Sequence, residues 1–323
     1  MKIIDIIFFT IILVLIYFAM KNNYLRNSIS MCNPQKDSDL SLYYFKNYKK
    51  IYNNEIPKIF IHHQPERNGR NWESFGSRMN NDSNLELTNL CINSVVNVYS
   101  DDYDIIIYND DDVKDLINDV DDVICNISNP SLLKGVDLEQ WVQYCKTKIL
   151  YLYGGVVMEP MFYFLKNKES YKLFKNVFTV AELNNDGLNV SNKIFIENSD
   201  YLMSSPANDE KLLNYCNHLK NKCIHNYSVE KHYFNDESDI LNNLNKYDKE
   251  TLGILTNKGL QVHVEDLLSN NKIELHDSSI CVFIDINNLK KYTKNGWILR
   301  MNKEQLVNSK MVISNIIREE CCL

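Results

Sequence analysis

Apolar and polar positions alternate along the chain with two different periods, which predict strands and helices in turn. The run from Ile56 to Ile61 contains a proline near its start and continues with β-branched and aromatic residues, so it predicts a first strand. Apolar residues then recur at helical spacing from Leu87 to Tyr99. The largely apolar run from Tyr103 to Tyr108 is typical of a strand that is buried on both faces. This order of strand, helix and strand predicts an α/β fold.

The same alternation continues to the end of the chain. Helical spacing predicts a helix from Val113 to Val123 and another from Leu138 to Leu152. The segment from Val156 to Phe162 then predicts a strand that stops at its proline, Pro160. Further strands are predicted at 176–180, 193–196 and 280–284, and further helices at 209–222 and 303–318. We therefore expect one domain over residues 56–323, with a mixed sheet flanked by helices.

The N-terminal segment has a different pattern. An apolar run extends from Ile6 to Met20 with Thr10 as its one interruption, and such a run spans roughly 22 to 27 Å as a helix. Small residues spaced for signal cleavage do not follow it, so we expect an uncleaved membrane anchor in residues 1–21. A cleaved signal peptide and a buried helix are the alternatives. Residues 22–55 are polar with little periodicity, which predicts a stem.

Composition narrows the classes of function. The chain has 35 Lys and Arg residues against 42 Asp and Glu residues, a net charge of −7, which argues against nucleic acid as a partner. Hydrophobic residues make up 45% and charged residues 24%, as in ordinary globular domains. Abundant Asn, Ile, Lys and Tyr are typical of an AT-rich genome, such as that of a large DNA virus. No zinc, P-loop or hydrolase motif is present in the sequence.

Acidic side chains follow two of the predicted strands. Glu159 comes directly after the strand that begins at Val156, and Asp110 and Asp112 follow the strand that ends at Tyr108. The carboxyl ends of strands are where α/β sheets bind their ligands, so these carboxylates are candidate catalytic groups. A simpler explanation of the acidic run is that it caps the next helix.

Two further features bear on the same region. Only nine glycines occur in the chain, so the doublet Gly154-Gly155 between helix and strand predicts a turn with positive φ and a close backbone approach. His62 and His63 end the first strand and are candidate ligands or acid–base groups. Because neighbouring strand residues face opposite ways, we expect one of them to be packed and the other exposed.

Three segments together resemble one family. Residues 56–64, 103–112 and 146–156 resemble the glycosyltransferases that carry an Asp-x-Asp sugar-binding region, relatives of fungal outer-chain mannosyltransferases and bacterial capsular-polysaccharide transferases. The resemblance covers roughly residues 56–206. It implies a GT-A fold, which is a Rossmann-like mixed sheet, often behind a single N-terminal anchor. It also implies a nucleotide-sugar donor, a glycan or protein acceptor, and Mn²⁺ or Mg²⁺ on the Asp-x-Asp.

The chain departs from the pattern of that family at the donor site. Glu159, Pro160 and Met161 stand where the family has Asp-x-Asp, and a thioether is a poor ligand for either metal. Lys146 stands where the family usually has Arg, and Gln143 where an Asp commonly contacts the nucleotide. The implied metal motif is therefore degenerate.

Two hypotheses follow from the resemblance. In the first, the protein is a membrane-anchored sugar transferase of an ER/Golgi-type membrane or a virion membrane. Its expected catalytic residues are Glu159, Asp110 and Asp112, and its expected donor-binding residues are His62, Gln143, Lys146, Gly154 and Gly155. Either Glu159 is a lone metal ligand, or the diphosphate is neutralised without metal by Lys146, Arg67, Arg70 or His62. In the second, the fold is kept as a catalytically inactive membrane-anchored structural or binding protein.

Overall fold

The structure is a computed structural model that describes residues 40–45, 56–64, 86–117, 136–166, 171–181, 201–224, 244–286, 289 and 295–322. The predicted anchor at 1–21 and the predicted strand at 193–196 lie outside these ranges, as do Arg67 and Arg70. Within the ranges, no helix combines the length and the apolar character that a bilayer crossing requires.

A six-stranded mixed sheet forms the centre of the described region. Its strand order is β2-β1-β3-β6-β5-β7, in which β2, β1 and β3 run parallel and β6 runs antiparallel to both of its neighbours. A smaller sheet pairs β4 with β8. The strands are β1 Lys58–His62, β2 Asp104–Tyr108, β3 Gly155–Met158, β4 Phe162–Phe164, β5 Thr179–Ala181, β6 Leu202–Ser205, β7 Asn245–Tyr247 and β8 Cys281–Phe283. The predicted α/β class with a mixed sheet is confirmed.

Helices cover both faces of this sheet. They are α1 Glu86–Tyr99, α2 Val113–Leu116, α3 Val136–Tyr153, α4 Glu210–Ile224, α5 Val264–Leu268, α6 Lys303–Asn308 and α7 Val312–Cys322, with 3₁₀ turns at Leu40–Leu42 and Gly296–Arg300. Ile59 and Ile61 of β1 face the core that contains α1, whereas Phe60 faces the core that contains α3 and α4. This is the strict alternation expected of a strand buried on both sides.

The connections after β1 and β2 leave the sheet on opposite faces. The chain passes from β1 to β2 through α1 on one face, and from β2 to β3 through α3 on the other. In open α/β sheets such a divergence of neighbouring connections opens a crevice at the carboxyl ends of the strands. At this edge of the sheet, His62 ends β1 and the chain leaves β2 through the loop that follows Tyr108.

Part of the predicted stem belongs to the folded domain. Phe45 donates its backbone N–H to the carbonyl of Ile107 at 2.8 Å, and Ile107 donates to the carbonyl of Tyr43 at 2.8 Å. Residues 40–45 thereby cover the outer edge of β2, which protects a strand that would otherwise present unpaired backbone groups.

Three predicted elements differ from the structure. The helix predicted from Val113 to Val123 ends at Leu116, because Ile117 leaves helical geometry with φ −112° and ψ 87°. The strand predicted from Val156 to Phe162 is interrupted by a turn, since Pro160 has no N–H for a ladder. The helix predicted at 303–318 is two helices, separated at Ser309, whose backbone is extended.

Candidate functional site

A row of three side chains crosses the carboxyl edge of the parallel strands. His62 on β1 pairs in register with Tyr108 on β2, and Ile61 pairs with Met158 on β3. His62 follows Ile61 and Glu159 follows Met158, so Glu159 lies beside His62 at the usual spacing of about 5 Å between neighbouring strands. The side of the sheet covered by α3 carries Phe60, Tyr108 and Val157. Side chains two residues apart on a strand face the same side, so His62 and Glu159 face α3 as well. The row Tyr108, His62, Glu159 therefore lies under α3.

His62 is paired with the first carboxylate after β2. Its Nε2 lies 2.9 Å from Oδ1 of Asp110, and the two side chains are 11% and 12% exposed. The backbone N–H of Asp110 donates to Oε1 of Gln64 at 3.0 Å. These two contacts join the end of β1 to the loop after β2, so His62 and Asp110 form a fixed dyad at the crevice.

Glu159 is paired with a cation from α3. Nζ of Lys146 lies 2.7 Å from Oε1 of Glu159, with side chains 1% and 17% exposed. The backbone of Glu159 is held by its N–H, which donates to the carbonyl of Tyr201 at 2.9 Å. A buried ammonium requires a charged partner because desolvation is costly, and Glu159 supplies it. The pair therefore holds the ammonium of Lys146 at the end of β3.

Tyr108 lies between the two pairs. Its ring centroid is 5.3 Å from that of His62, and its side chain is fully buried. Within the described part of the chain, its hydroxyl has no hydrogen-bond partner. Burial raises the pKa of Tyr108 well above its ordinary value, and the nearby Cys145, Glu159 and Asp110 raise it further. Both carboxylates of the site thus act on one neutral phenol.

Asp112 does not join this cluster. Its carboxylate accepts the backbone N–H of Asn109 at 2.9 Å, while the side chain of Asn109 accepts from the backbone of Asp111 and Asp112. These contacts close the turn before α2, and Asp112 at the N-cap position makes no side-chain cap bond to the helix. Burial raises the pKa of Asp112, while the bond from Asn109 lowers it and Asp111 and Asp115 raise it.

Gln143 faces a different helix. Its Nε2 donates to the hydroxyl of Tyr215 on α4 at 2.8 Å, and its side chain is buried. One turn further along α3, Lys146 reaches the end of β3. The structure therefore brings Lys146 to Glu159, and it directs the amide nitrogen of Gln143 to Tyr215.

The glycine doublet lies at the other end of β3. Gly154 and Gly155 have φ of 64° and 100°, which confirms the predicted positive-φ turn. Gly155 begins β3, about 13 Å of strand away from Glu159. A Cβ on Gly155 would collide with the carbonyl oxygen of Lys58, and one on Gly154 would collide with the backbone of Ala207. Close packing of backbones at the amino edge accounts for the doublet, and the structure does not bring it to the carboxylates.

Met161 faces away from the site. It is 3% exposed and packs in the core on the α1 side, together with Phe162. Its backbone N–H donates to the carbonyl of Glu159, and its carbonyl accepts from Ile284. No group of three His, Cys, Asp or Glu side chains that could hold a metal ion occurs among residues the structure describes. The burial of Met161 in that core means that it supplies no ligand beside Glu159.

The two histidines differ from expectation. His62 is largely buried in its pair with Asp110, and His63 is 9% exposed, so neither is the exposed histidine predicted from strand alternation. His63 donates its backbone N–H to the carbonyl of Tyr108 and so extends the pairing of β1 and β2 by one residue.

Comparison with known proteins adds nothing to this picture. No protein-family model and no curated protein matches the chain.

Two contributors to the site were missed by sequence reasoning. The apolar pattern places Tyr108 in a buried strand, and its register opposite His62 follows from counting both strands to their last residue. Gln64 belongs to a segment that resembles a family motif, and its bond to the Asp110 backbone depends on a contact 46 residues apart. The alternation of β2 could have indicated the position of Tyr108, whereas no local pattern indicates the contact made by Gln64.

Proposed function

We propose that this chain is a glycosyltransferase-like protein of the GT-A type, which binds a nucleotide sugar at the carboxyl ends of β2, β1 and β3. The observation that carries the proposal is the ion pair of Lys146 with Glu159, at 2.7 Å, on the rim of that edge. The divergent connections after β1 and β2 support the same location, because such crevices bind nucleotides in α/β sheets. The motif resemblance over residues 56–206 supplies the substrate class.

Lys146 gives the site a positive charge that needs no metal ion. Its ammonium is 1% exposed, so its field is only weakly screened by solvent. A diphosphate leaving group gains negative charge as the bond to the sugar breaks, and a fixed cation stabilises that charge without reorganisation. Glu159 holds the ammonium at the rim through its hydrogen bond. In this proposal Glu159 positions Lys146, and no metal ligand is required.

The second candidate is a catalytically inactive structural or binding protein with the same fold. A specific observation favours it: two side chains of the site are already matched with carboxylates, Lys146 with Glu159 at 2.7 Å and His62 with Asp110 at 2.9 Å. Paired in this way, they join α3 to β3 and the end of β1 to the loop after β2. The same contacts would serve a scaffold that binds no substrate.

For the whole protein, we propose an anchor in residues 1–21 that attaches the domain to an ER/Golgi-type membrane or a virion membrane. The support is the apolar run from Ile6 to Met20. Because residues 40–45 are attached to β2, the segment between the proposed anchor and the domain is shorter than the predicted stem of residues 22–55.

The test of transfer uses the full chain purified in detergent. Release of nucleoside diphosphate is measured from UDP-glucose, UDP-N-acetylglucosamine and GDP-mannose, each with EDTA and with Mn²⁺. We expect release from at least one donor in EDTA, its loss in Lys146→Met and its partial return in Lys146→Arg.

The matched control is Lys148→Met on the same helix, where Nζ lies 5.6 Å from the ring centroid of Tyr151. Release that requires Mn²⁺ would contradict the metal-free proposal. No release from any donor, with Lys146→Met affecting stability alone, would favour the scaffold.

A further inference from the structure

We propose that residues 40–45 form a strap that closes the outer side of Tyr108 and opens without unfolding of the sheet. Release of the strap uncovers the ring of Tyr108 and the outer backbone groups of Ile107. The inference goes beyond the proposed function, because it concerns how the segment before β1 controls the carboxyl edge and requires no transfer reaction.

The strap is held on β2 by the backbone of one residue. Ile107 donates its N–H to the carbonyl of Tyr43 and accepts the N–H of Phe45, both at 2.8 Å. Tyr44 forms an isolated parallel bridge with Ile107, whereas β2 pairs with β1 along its whole length. A segment held by few backbone bonds opens at a lower free energy than a strand of the central sheet. The strap is therefore the part of this edge that opens first.

Side chains of the strap lie on both faces of the sheet. Tyr44 packs against the core on the α1 side, to which its partner Ile107 also belongs. Phe45 packs against the core on the α3 side, which contains Tyr108. Counting one residue on from the bridge in both segments brings Phe45 beside Tyr108, as this alternation requires. The row at the carboxyl edge thus begins with Phe45 and continues through Tyr108, His62 and Glu159.

Tyr108 is fully buried although β2 is the last strand of the main sheet on this side. On its inner side, the centroid of its ring lies 5.3 Å from that of His62. On its outer side, the position of a further strand is taken by the strap. Phe45 therefore shields Tyr108 from the side that β2 leaves open.

Chain order makes the strap the first part of the domain to respond to the N-terminal segment. Residues 40–45 precede β1 and follow residues 1–21, for which we propose an anchor. A pull on that segment reaches the two backbone bonds to Ile107 before it reaches the sheet. Release of the strap then opens the outer side of the row, next to the turn at 109–112. The strap thus couples the position of the N-terminal segment to the carboxyl edge.

Two neighbouring amides provide a test within one protein. The N–H of Ile107 faces the strap, whereas the alternation of β2 turns the N–H of Ile106 towards β1. Hydrogen–deuterium exchange of the full chain in detergent, resolved to single residues by fragmentation, compares the two. We expect Ile107 to exchange about tenfold faster than Ile106, because opening of the strap releases the amide of Ile107 alone. Equal exchange at the two residues would overturn the proposal.

A proline at position 45 tests the bond that holds the strap. Phe45→Pro removes the N–H donated to Ile107, so we expect exchange at Ile107 to rise about tenfold further. Exchange at Ile106 and in helix α4 should stay unchanged. Phe45→Leu keeps the N–H and an apolar side chain, and it serves as the matched control.

An alanine at position 45 tests the shielding of Tyr108. Phe45→Ala keeps the N–H and removes the ring, so nitration of Tyr108 by tetranitromethane should rise about fivefold or more through opening of its cover. Burial raises the pKa of Tyr108, and the phenolate is the form that reacts. Nitration is mapped by mass spectrometry. Tyr247, which is buried and donates to the carbonyl of Leu173, is the control tyrosine and should stay unmodified.

Three results would each contradict the strap. The first is unchanged exchange at Ile107 in Phe45→Pro, and the second is unchanged nitration of Tyr108 in Phe45→Ala. The third is a rise in exchange that extends to Ile106 and α4, since residues 40–45 would then open only with the whole domain. None of these outcomes depends on whether the chain transfers a sugar, so the proposed function can fail while the strap stands.

Discussion

Lys146 and Glu159 join α3 to the end of β3 through a contact of 2.7 Å between Nζ and Oε1, thirteen residues apart in sequence. The helix that carries Lys146 packs on the face of the sheet to which the row of Tyr108, His62 and Glu159 belongs. The pair therefore has two consequences, one for stability and one for the charge at the rim.

Removing the ammonium should destabilise the fold. Lys146→Met removes the ammonium that pairs with Glu159, whose side chain is 17% exposed, so we expect a loss of about 3 kcal/mol in the free energy of unfolding. The double variant Lys146→Met, Glu159→Met should recover most of this loss, because no charge remains buried. Urea unfolding of the three proteins measures the coupling. Equal stability of Lys146→Met and the control Lys148→Met would contradict the structural role of the pair.

An aspartate at position 161, where the family that the chain resembles has the second residue of its Asp-x-Asp, should not create a metal site. Met161 is 3% exposed in the core on the α1 side, so Met161→Asp buries a carboxylate among apolar side chains instead of adding a ligand beside Glu159. We expect destabilisation of about 3 kcal/mol or more and no gain in Mn²⁺ affinity. Met161→Leu serves as the control and should cost less than about 1.5 kcal/mol. Micromolar Mn²⁺ binding by a folded Met161→Asp protein would show that position 161 faces the site.

The glycine doublet should matter for folding rather than for ligand binding. Gly155→Ala places a Cβ against the carbonyl oxygen of Lys58 at a φ of 100°, so we expect a loss of about 4 kcal/mol from strain and overlap together. Gly259→Ala has a comparable φ of 70° with open space around it, and should cost about 1 kcal/mol. Thermal unfolding compares the two variants. A smaller effect at Gly155 than at Gly259 would refute the backbone packing described for β1 and β3.

Asp112 should make stability depend on pH. Burial raises its folded pKa above the ordinary value of 3.8, so its contribution to stability is present below that value and is lost as pH rises through the folded pKa. Asp112→Asn keeps an oxygen that accepts the backbone N–H of Asn109. We expect it to be more stable than the wild type at neutral pH, with the difference vanishing near pH 3. Urea unfolding at both pH values tests this, and Asp111→Asn, at an exposed neighbour, should change less. If Asp112→Asn were less stable than the wild type at neutral pH, the predicted effect of Asp112 on stability would be contradicted.

The carboxyl edge of the sheet can be predicted from the sequence, whereas most of the side-chain contacts at that edge cannot. The ends of β1, β2 and β3 follow from local alternation, and parallel strands bring their carboxyl ends together, so His62, Asp110 and Glu159 could be placed at one edge. The bond from Lys146 to Glu159 depends on how α3 packs on the sheet, which no local pattern specifies. Gly155 and Glu159 are close in sequence but stand at opposite ends of a four-residue strand. Met161 is buried because the chain turns at Pro160 and enters a second sheet, a non-local event.

The most direct test of the central claim is hydrogen–deuterium exchange of the full chain, in EDTA, with and without UDP or GDP. Binding at the carboxyl edge predicts slower exchange in peptides that contain Gln64, residues 109–112 and residues 159–161. Exchange in the loop at 100–103, at the amino edge, should stay unchanged. Protection at the amino edge, or no protection at the carboxyl edge at saturating nucleotide, would contradict the account.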